Sequence, residues 1–413
     1  MFKMKKQKSH YAWFILAGCA LMYFTTTGLG CNNFPVYSPF ILKYYGYSKT
    51  KVSLISSFSS LTSTLVVLLT TKYYKVFSLK TGLLLSGFLM CLAYVTYGIA
   101  DNYPLYLLGS VLRGTAYALG SMVPMSIMID RWFLSKRTLA LSIISAASGL
   151  ATVGVPSVIT WMIQHFGMRF SFLVSAAAFF LLYLISWLIL RNDPSELDLT
   201  PYQDAADKNK GKRSESNGED HTFRHLSEFW WTILSLSVMA GTSAVTSYAN
   251  LSLLSSTEGF RPETVAIVVS VAGAGMTVGK LLFGSAATKL GLKKTSLIFG
   301  LSSVIGLLLC CLSSHGAALL FAGAGLLGLS LSAIIVGSVA WVQDWAQPED
   351  RADHLKVFQS MYNLGSMVFG IMIGIIADLC GGSYVPFYAV AAVIAVYLVI
   401  IVQAAYRKQE RRR

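Results

Sequence analysis

Two cations, Lys280 and Arg113, stand in stretches otherwise made of apolar, small and hydroxyl residues. Lys280 lies within 265–287, long enough to cross a bilayer at about 1.5 Å rise per residue. A cation at that depth costs roughly 2.5–3.5 kcal/mol on insertion scales. An anion passing through the same space would offset that cost. All nineteen Asp and Glu fall in loops or at the ends of apolar stretches, which leaves no obvious internal counter-ion and no buried proton carrier. The rival account of Lys280 is snorkelling, since Thr288 marks an inner end about 12 Å away and a lysine stem reaches part of that distance. Arg113 likewise has two readings: contact with the anion, or hydrogen bonds to neighbouring helices.

The elements that must hold these cations are membrane helices. The chain has 413 residues, 54% hydrophobic and only 13% charged, with positive mean hydropathy. A soluble protein would carry about a quarter charged residues. Twelve apolar runs recur, at approximately 11–32, 52–71, 82–99, 105–128, 138–163, 170–190, 229–255, 263–287, 295–313, 317–341, 356–378 and 384–405. The expected fold is an all-α membrane protein of twelve transmembrane helices. The first run is too long and lacks a small-residue cleavage site for a removed signal peptide, so it reads as a retained helix.

The net charge of +14 does not point to nucleic acid, because its distribution follows the bilayer. With the N-terminus inside, 26 of the 33 Lys and Arg lie in inner segments and five in outer loops, namely Lys43, Lys49, Lys51, Arg169 and Arg261. That asymmetry predicts cytoplasmic termini in a multi-pass protein of the cell (inner) membrane. The basic tail 407–413 reads as an anchor on anionic headgroups. The six cysteines have no metal or redox spacing and read as packing residues. There is no phosphate loop, zinc spacing or catalytic triad order, so neither an enzyme nor a bound cofactor is expected.

One compositional break, 191–228, is rich in Asp, Glu, Lys, Ser, Asn and Gly and reads as a cytoplasmic flexible linker. It separates an N-terminal six-helix half, 1–190, from a C-terminal half with its basic tail, 229–413. The halves read as repeats. A shift of 213 places Gly87 on Gly300, Ser78 on Gly291, Lys80 on Lys293 and Val67 on Lys280. A shift of 214 places Gly114 on Gly328 and Asp130 on Asp344, and 216 places Gly149 on Gly365. Lys280 therefore belongs to the second half alone.

Gly284, Thr288, Lys289, Gly291, Lys293 and Lys294 form a pattern that resembles the Gly-x-x-x-Asp-Arg-x-Gly-Arg-Arg loop of the major facilitator superfamily, with Thr288 in place of the aspartate. Its first-half copy, 71–80, departs further. Arg113-Gly114 with Gly120 is similar to the superfamily's fourth helix. The stretch from Asp130, Arg131 and Trp132 through Lys136 and Arg137 to Gly149, and the segment 167–172, resemble the monocarboxylate transporter and oxalate–formate antiporter group. The resemblance implies a twelve-helix fold in two pseudo-symmetric halves and a gating role for the loop residues. It also implies that Lys280, followed by Gly284, occupies the place of a carboxylate-binding cation. The antiporter's second lysine is absent from 358–378, and Met276 replaces the aspartate of proton-coupled members.

Further cavity candidates are Asn32, Asn33 and Tyr37 at the end of the first span, with Tyr117, Thr246, Tyr248, Asn250, Gln343, Gln359, Tyr362 and Asn363. Each could equally make a helix–helix hydrogen bond. Spans 6 and 12 read as lipid-facing supports, and Trp13, Trp187, Trp230, Trp231 and Tyr406 as interfacial anchors. The expected function is transport of a small organic anion, monocarboxylate-like, by a monomer whose other partner is the lipid bilayer. A lysine's point charge favours a singly charged anion over a rigid dicarboxylate. The alternatives are an exporter of amphiphilic or aromatic compounds and, less simply, a transporter-like sensor.

Overall fold

The computed structural model describes residues 11–203, 230–346 and 351–411, apart from the side chains of Thr71, Thr138, Trp230, Tyr248, Ala249, Gln343, Arg351, Ala352, Asp353 and Lys356. Most of the expected 191–228 linker and the last two tail residues lie outside the described residues. So do the side chains of two cavity candidates, Tyr248 and Gln343, and of the expected anchor Trp230.

The helices run α1 (Tyr11–Tyr23, continued by a π-helix Phe24–Asn32), α2 (Ser38–Tyr45), α3 (Lys49–Val67), α4 (Thr70–Val76), α5 (Leu79–Ile99) and α6 (Tyr103–Leu119). They continue with α7 (Met122–Trp132), α8 (Arg137–Leu150), α9 (Val155–Phe166) and α10 (Met168–Ile189). Beyond the linker come α11 (Trp230–Ala244, continued by a π-helix Val245–Ala249), α12 (Leu251–Thr257), α13 (Pro262–Leu290) and α14 (Leu292–Cys311). The chain closes with α15 (Ala317–Trp345), α16 (Arg351–Leu379) and α17 (Val385–Glu410). Among the described residues, nine helical segments are long and apolar enough to cross a membrane. The other three expected spans take different forms. Run 52–71 is the serine-rich α3; 105–128 breaks at Gly120–Ser121 into α6 and α7; 229–255 is α11, its π-turn and α12. Only helices and closed barrels satisfy every backbone group in hydrocarbon, and apolar runs near twenty residues fit the helix.

The glycine repeat reappears as repeated packing. A Cβ on Gly28 would meet Ala151, and one on Gly241 would meet Gly365 and Ser366. Gly87 lies against Tyr183 and Gly300 against Val399. Gly114 lies against the carbonyl of Ser59, and Gly328 against that of Ala272. The same helix contacts are thus made twice, but Gly149, which the shift of 216 places on Gly365, packs against Thr277 while Gly365 packs against Val238, so that landmark is not repeated. Gly114→Val would drive its methyls into the Ser59 carbonyl, an overpacking cost of about 1–3 kcal/mol. A lowered melting temperature in detergent is expected. Gly284→Ala serves as the control, because nothing lies within 4 Å of a Cβ there.

The contacts that join 11–203 to 230–411 cluster toward one end of the bundle. Gly149 meets Thr277 and Gly273 meets Thr152 where α8 and α13 cross. Beyond them Gln164 donates to Glu263 at 2.6 Å and Ser252 to the Pro35 carbonyl at 2.6 Å. At the rim, Asp378 of α16 accepts from the Lys49 and Thr50 amides and from the Thr50 hydroxyl at 3.0, 2.9 and 2.6 Å. A carboxylate from one set of helices thus caps the N-terminus of α3 in the other, where its charge also meets the helix dipole. Lys49 donates to the Gly382 carbonyl beside it.

Exposure bears on the expected support helices. Phe180, Leu181 and Ile185 on α10, and Val393, Val396 and Ile400 on α17, are exposed. Tyr406 departs from its expected anchoring role. It is buried, and its hydroxyl donates to Asp344 at 3.3 Å while its ring packs against Trp345.

Candidate functional site

The first helix delivers its polar residues through a π-helix. Thr25 and Thr26 donate back to the carbonyls of Leu21 and Met22 at 2.8 and 2.9 Å. The wider π turn changes the direction of successive side chains, and single π stretches in α-helices commonly mark functional sites. Asn32 is half-buried, and its amide donates to the Ser148 carbonyl at 3.3 Å. Asn33 and Tyr37 point elsewhere and are fully buried. Asn33 donates to the carbonyls of Gly28 and Ala151. Tyr37 stacks on Phe172 and bonds with Ser171 and Ser175.

Lys280 reaches the same serine from the other side. It is only 7% exposed, and its Nζ donates to the Ser145 carbonyl and to Ser148 Oγ, both at 2.9 Å. Its stem therefore runs sideways to the C-terminal turns of α8 rather than down to a headgroup. Small residues allow this approach, since Gly149 and Gly273 bring α8 and α13 into backbone contact. On the opposite face of α13, Ser332 of α15 donates to the Met276 carbonyl at 2.9 Å, which fixes the rotation of the helix.

Arg113 flanks the π-helix from the α6 side. Close packing of Gly114 on α3 lets Arg113 Nε donate to Ser59 Oγ at 3.2 Å. The guanidinium lies 3.6 Å from the centre of the Phe34 ring, a close cation–π contact. Arg113 is 4% exposed, and its buried Nη1 has no hydrogen-bond partner among the described residues. Cys31 sits within electrostatic reach of Arg113, and Tyr117 within reach of Tyr23, Cys31 and Tyr362. Residue 31 of the π-helix thus lies near Arg113, and residue 32 meets Ser148, which Lys280 also binds. Among the described residues no aspartate or glutamate is buried, so neither cation has an internal carboxylate.

The remaining candidates divide. Asn363 is buried, and its Nδ2 has no partner among the described residues. Asn250 turns back to the Val245 carbonyl at 3.3 Å, Thr246 to that of Thr242 at 2.9 Å, and Gln359 is exposed. The loop residues pair locally: Arg131 with Asp193 at 3.1 Å, Asp130 with Arg137 at 3.4 Å and Lys293 with Glu410 at 2.7 Å. Partial burial pushes the Asp130 carboxyl above its ordinary range, with Arg137 opposing. Lys289 is exposed, and Thr288 donates to the Gly284 carbonyl of its own helix. Gly291 makes its turn at φ 80°. Gly284 departs from the expected close approach, having open space at its Cβ position.

Sequence reasoning passed over Ser148 and Asp378. A serine among serines carries no signal, and Asp378 looked like any span-end carboxylate. The one available hint was Thr50 at the start of a helix whose N-terminus a distant acid could cap.

Helices that pack twice with the same contacts and join toward one end form the frame of a polytopic membrane transporter. The family model for the Major Facilitator Superfamily matches residues 15–261 and 233–413, and the chain belongs to that superfamily. No curated protein matches the sequence. Among solved structures, the nucleoside transporter NupG aligns with a TM-score of 0.73 at 14% identity, covering 94% of this chain and 99% of that one. A bacterial homolog of the human lysosomal transporter Spinster, inward-facing and unoccupied, aligns at 0.67 and 18% identity, covering 96% and 97%. Its occupied inward-facing form aligns at 0.64 and 16% identity with the same coverage. At these identities the likeness is one of fold.

Proposed function

We propose that this transporter exchanges small organic monoanions, monocarboxylate-like, by alternating access between its N- and C-terminal six-helix halves. The observation that carries the reading is the pair of buried cations, Lys280 and Arg113, with no buried carboxylate among the described residues and the π-helix meeting Ser148, the residue that Lys280 binds. In the empty state the ammonium is held by Ser145 and Ser148 of the opposite half. An arriving carboxylate is a stronger acceptor than a hydroxyl, so it displaces Ser148 from Nζ while Asn32 and Arg113 Nη1 supply further donors. Charge neutralisation then lets the halves separate at α8 and α13 and reseal on the other side. An empty carrier keeps an uncompensated central cation and reorients poorly, which favours exchange. The asymmetry of basic loops supports a cytoplasmic position for both termini and for the end opposite Asp378. The resemblance of 130–149 and 167–172 to the monocarboxylate and oxalate–formate group supports the substrate class.

The half-buried Tyr117 and Tyr362, with Tyr23 beside them, favour a second reading, export of an aromatic or amphiphilic compound. Counterflow separates the two. Proteoliposomes preloaded with unlabelled lactate, formate or acetate should take up the matching labelled anion several-fold faster than empty ones, whereas the dicarboxylate oxalate should accelerate uptake little. No acceleration by any of them, with uptake of an aromatic compound instead, would favour the second reading.

A further inference from the structure

The end of the bundle opposite Asp378 carries a groove that neither the central site nor the contacts between the halves use. It runs between the start of α11 and the end of α17, where Trp231, Thr232, Ser235, Ile401, Ala404 and Lys408 border about 310 Å³. It continues into a recess of about 450 Å³ lined by Ala404, Arg407, Lys408 and Arg411.

The last turns of α17 have two faces. Gln403, Tyr406, Gln409 and Glu410 bind the rest of the protein, through the Lys293 carbonyl, Asp344 and the Lys293 ammonium. Ala404, Arg407, Lys408 and Arg411 fall at i, i+3, i+4 and i+7 and share the other face. The three cations are exposed, as is Trp231 at 75%. Topology alone asks only for positive charge on this side. It does not ask for an apolar floor beneath the charges, an indole beside it or hydroxyls along it.

We propose that this groove binds one anionic glycerophospholipid. Arg407, Lys408 and Arg411 take the phosphate, and the hydroxyls of Thr232 and Ser235 lie beside the glycerol backbone. The first acyl carbons rest on Ile401 and Ala404 against Trp231. Charge complementarity selects the anionic headgroup, and the apolar floor selects a lipid over a free phosphate.

The test is native mass spectrometry of the full chain in detergent, titrated with dioleoylphosphatidylglycerol or dioleoylphosphatidylcholine. One saturable phosphatidylglycerol adduct is expected, about tenfold or more above phosphatidylcholine, since each surface cation adds to the attraction. Arg407→Gln/Lys408→Gln/Arg411→Gln should weaken it by about 30- to 100-fold, whereas Lys294→Gln, one exposed cation outside the groove, should leave it unchanged. Ala404→Phe keeps the charges but fills the floor, and should weaken the adduct as well. Equal binding of the two lipids would overturn the proposal. So would full binding by Ala404→Phe, or displacement of the lipid by inorganic phosphate at matched concentration. The lipid comparison and the displacement need no variant, so the proposal stands or falls even if a substituted chain does not fold.

Discussion

Lys280→Gln is expected to abolish most transport of the anion while leaving the protein as stable as before or more so. A charge-assisted hydrogen bond contributes about 1.5–3 kcal/mol, so its loss should weaken apparent affinity about 10- to 100-fold. The same change removes a buried cation that has no carboxylate partner among the described residues, and so removes the cost of holding that charge away from water. Glutamine can still donate toward Ser145 and Ser148, which limits the structural cost. The two readouts, labelled-anion uptake and melting temperature, should therefore move independently. Undiminished uptake of a confirmed anion substrate would remove Lys280 from the site. Uptake and melting temperature falling together would make it a structural bridge between α8 and α13.

The second large effect concerns the seal at the other end. Asp378 accepts three hydrogen bonds from the start of α3, and Asn in its place loses the charge and one acceptor oxygen. The site is exposed, so screening reduces each contribution, and about 1–2 kcal/mol overall is a fair expectation. That amount shifts the balance between sealed and open states about 5- to 30-fold. Native Cys31, half-buried beside Arg113, reports the change. With Cys311 and Cys380 replaced by Ser, a membrane-impermeant maleimide added from the Asp378 side should alkylate Cys31 faster by that factor in Asp378→Asn. An unchanged alkylation rate would show that the cap is not what holds this end shut.

These two sites differ in how much of them the sequence carries. Lys280 is conspicuous because its apolar setting is contiguous in the chain, and the cost of a charge in hydrocarbon is a local property. The repeat was legible for a similar reason. Gly87 and Gly114 and their counterparts permit the same close helix contacts, and close approach tolerates no side chain at those positions, whereas the pair Gly28 and Gly241 emerged only from the packing. The loop pattern pointed to the superfamily, as the family model bears out, but not to the packing of its first glycine. Gly284 packs against nothing, because it faces away from the contacts that its neighbour Phe283 makes with Phe299 and Gly337.

Composition and hydropathy by themselves determined an all-helical membrane bundle with two cations in apolar stretches and its acids in loops or at stretch ends, because long apolar runs fit only the helix in hydrocarbon and charges are costly there. The tertiary structure decided what those cations meet. Lys280 binds Ser148, 132 positions away, and Asp378 caps α3 from 328 positions away. The π-helix decided that Asn32 reaches the Ser148 carbonyl while Asn33 turns to those of Gly28 and Ala151, since one widened turn redirects the side chains after it. Such pairings depend on how helices are rotated and where they cross. Packing of the whole bundle sets those angles, and no single helix encodes them.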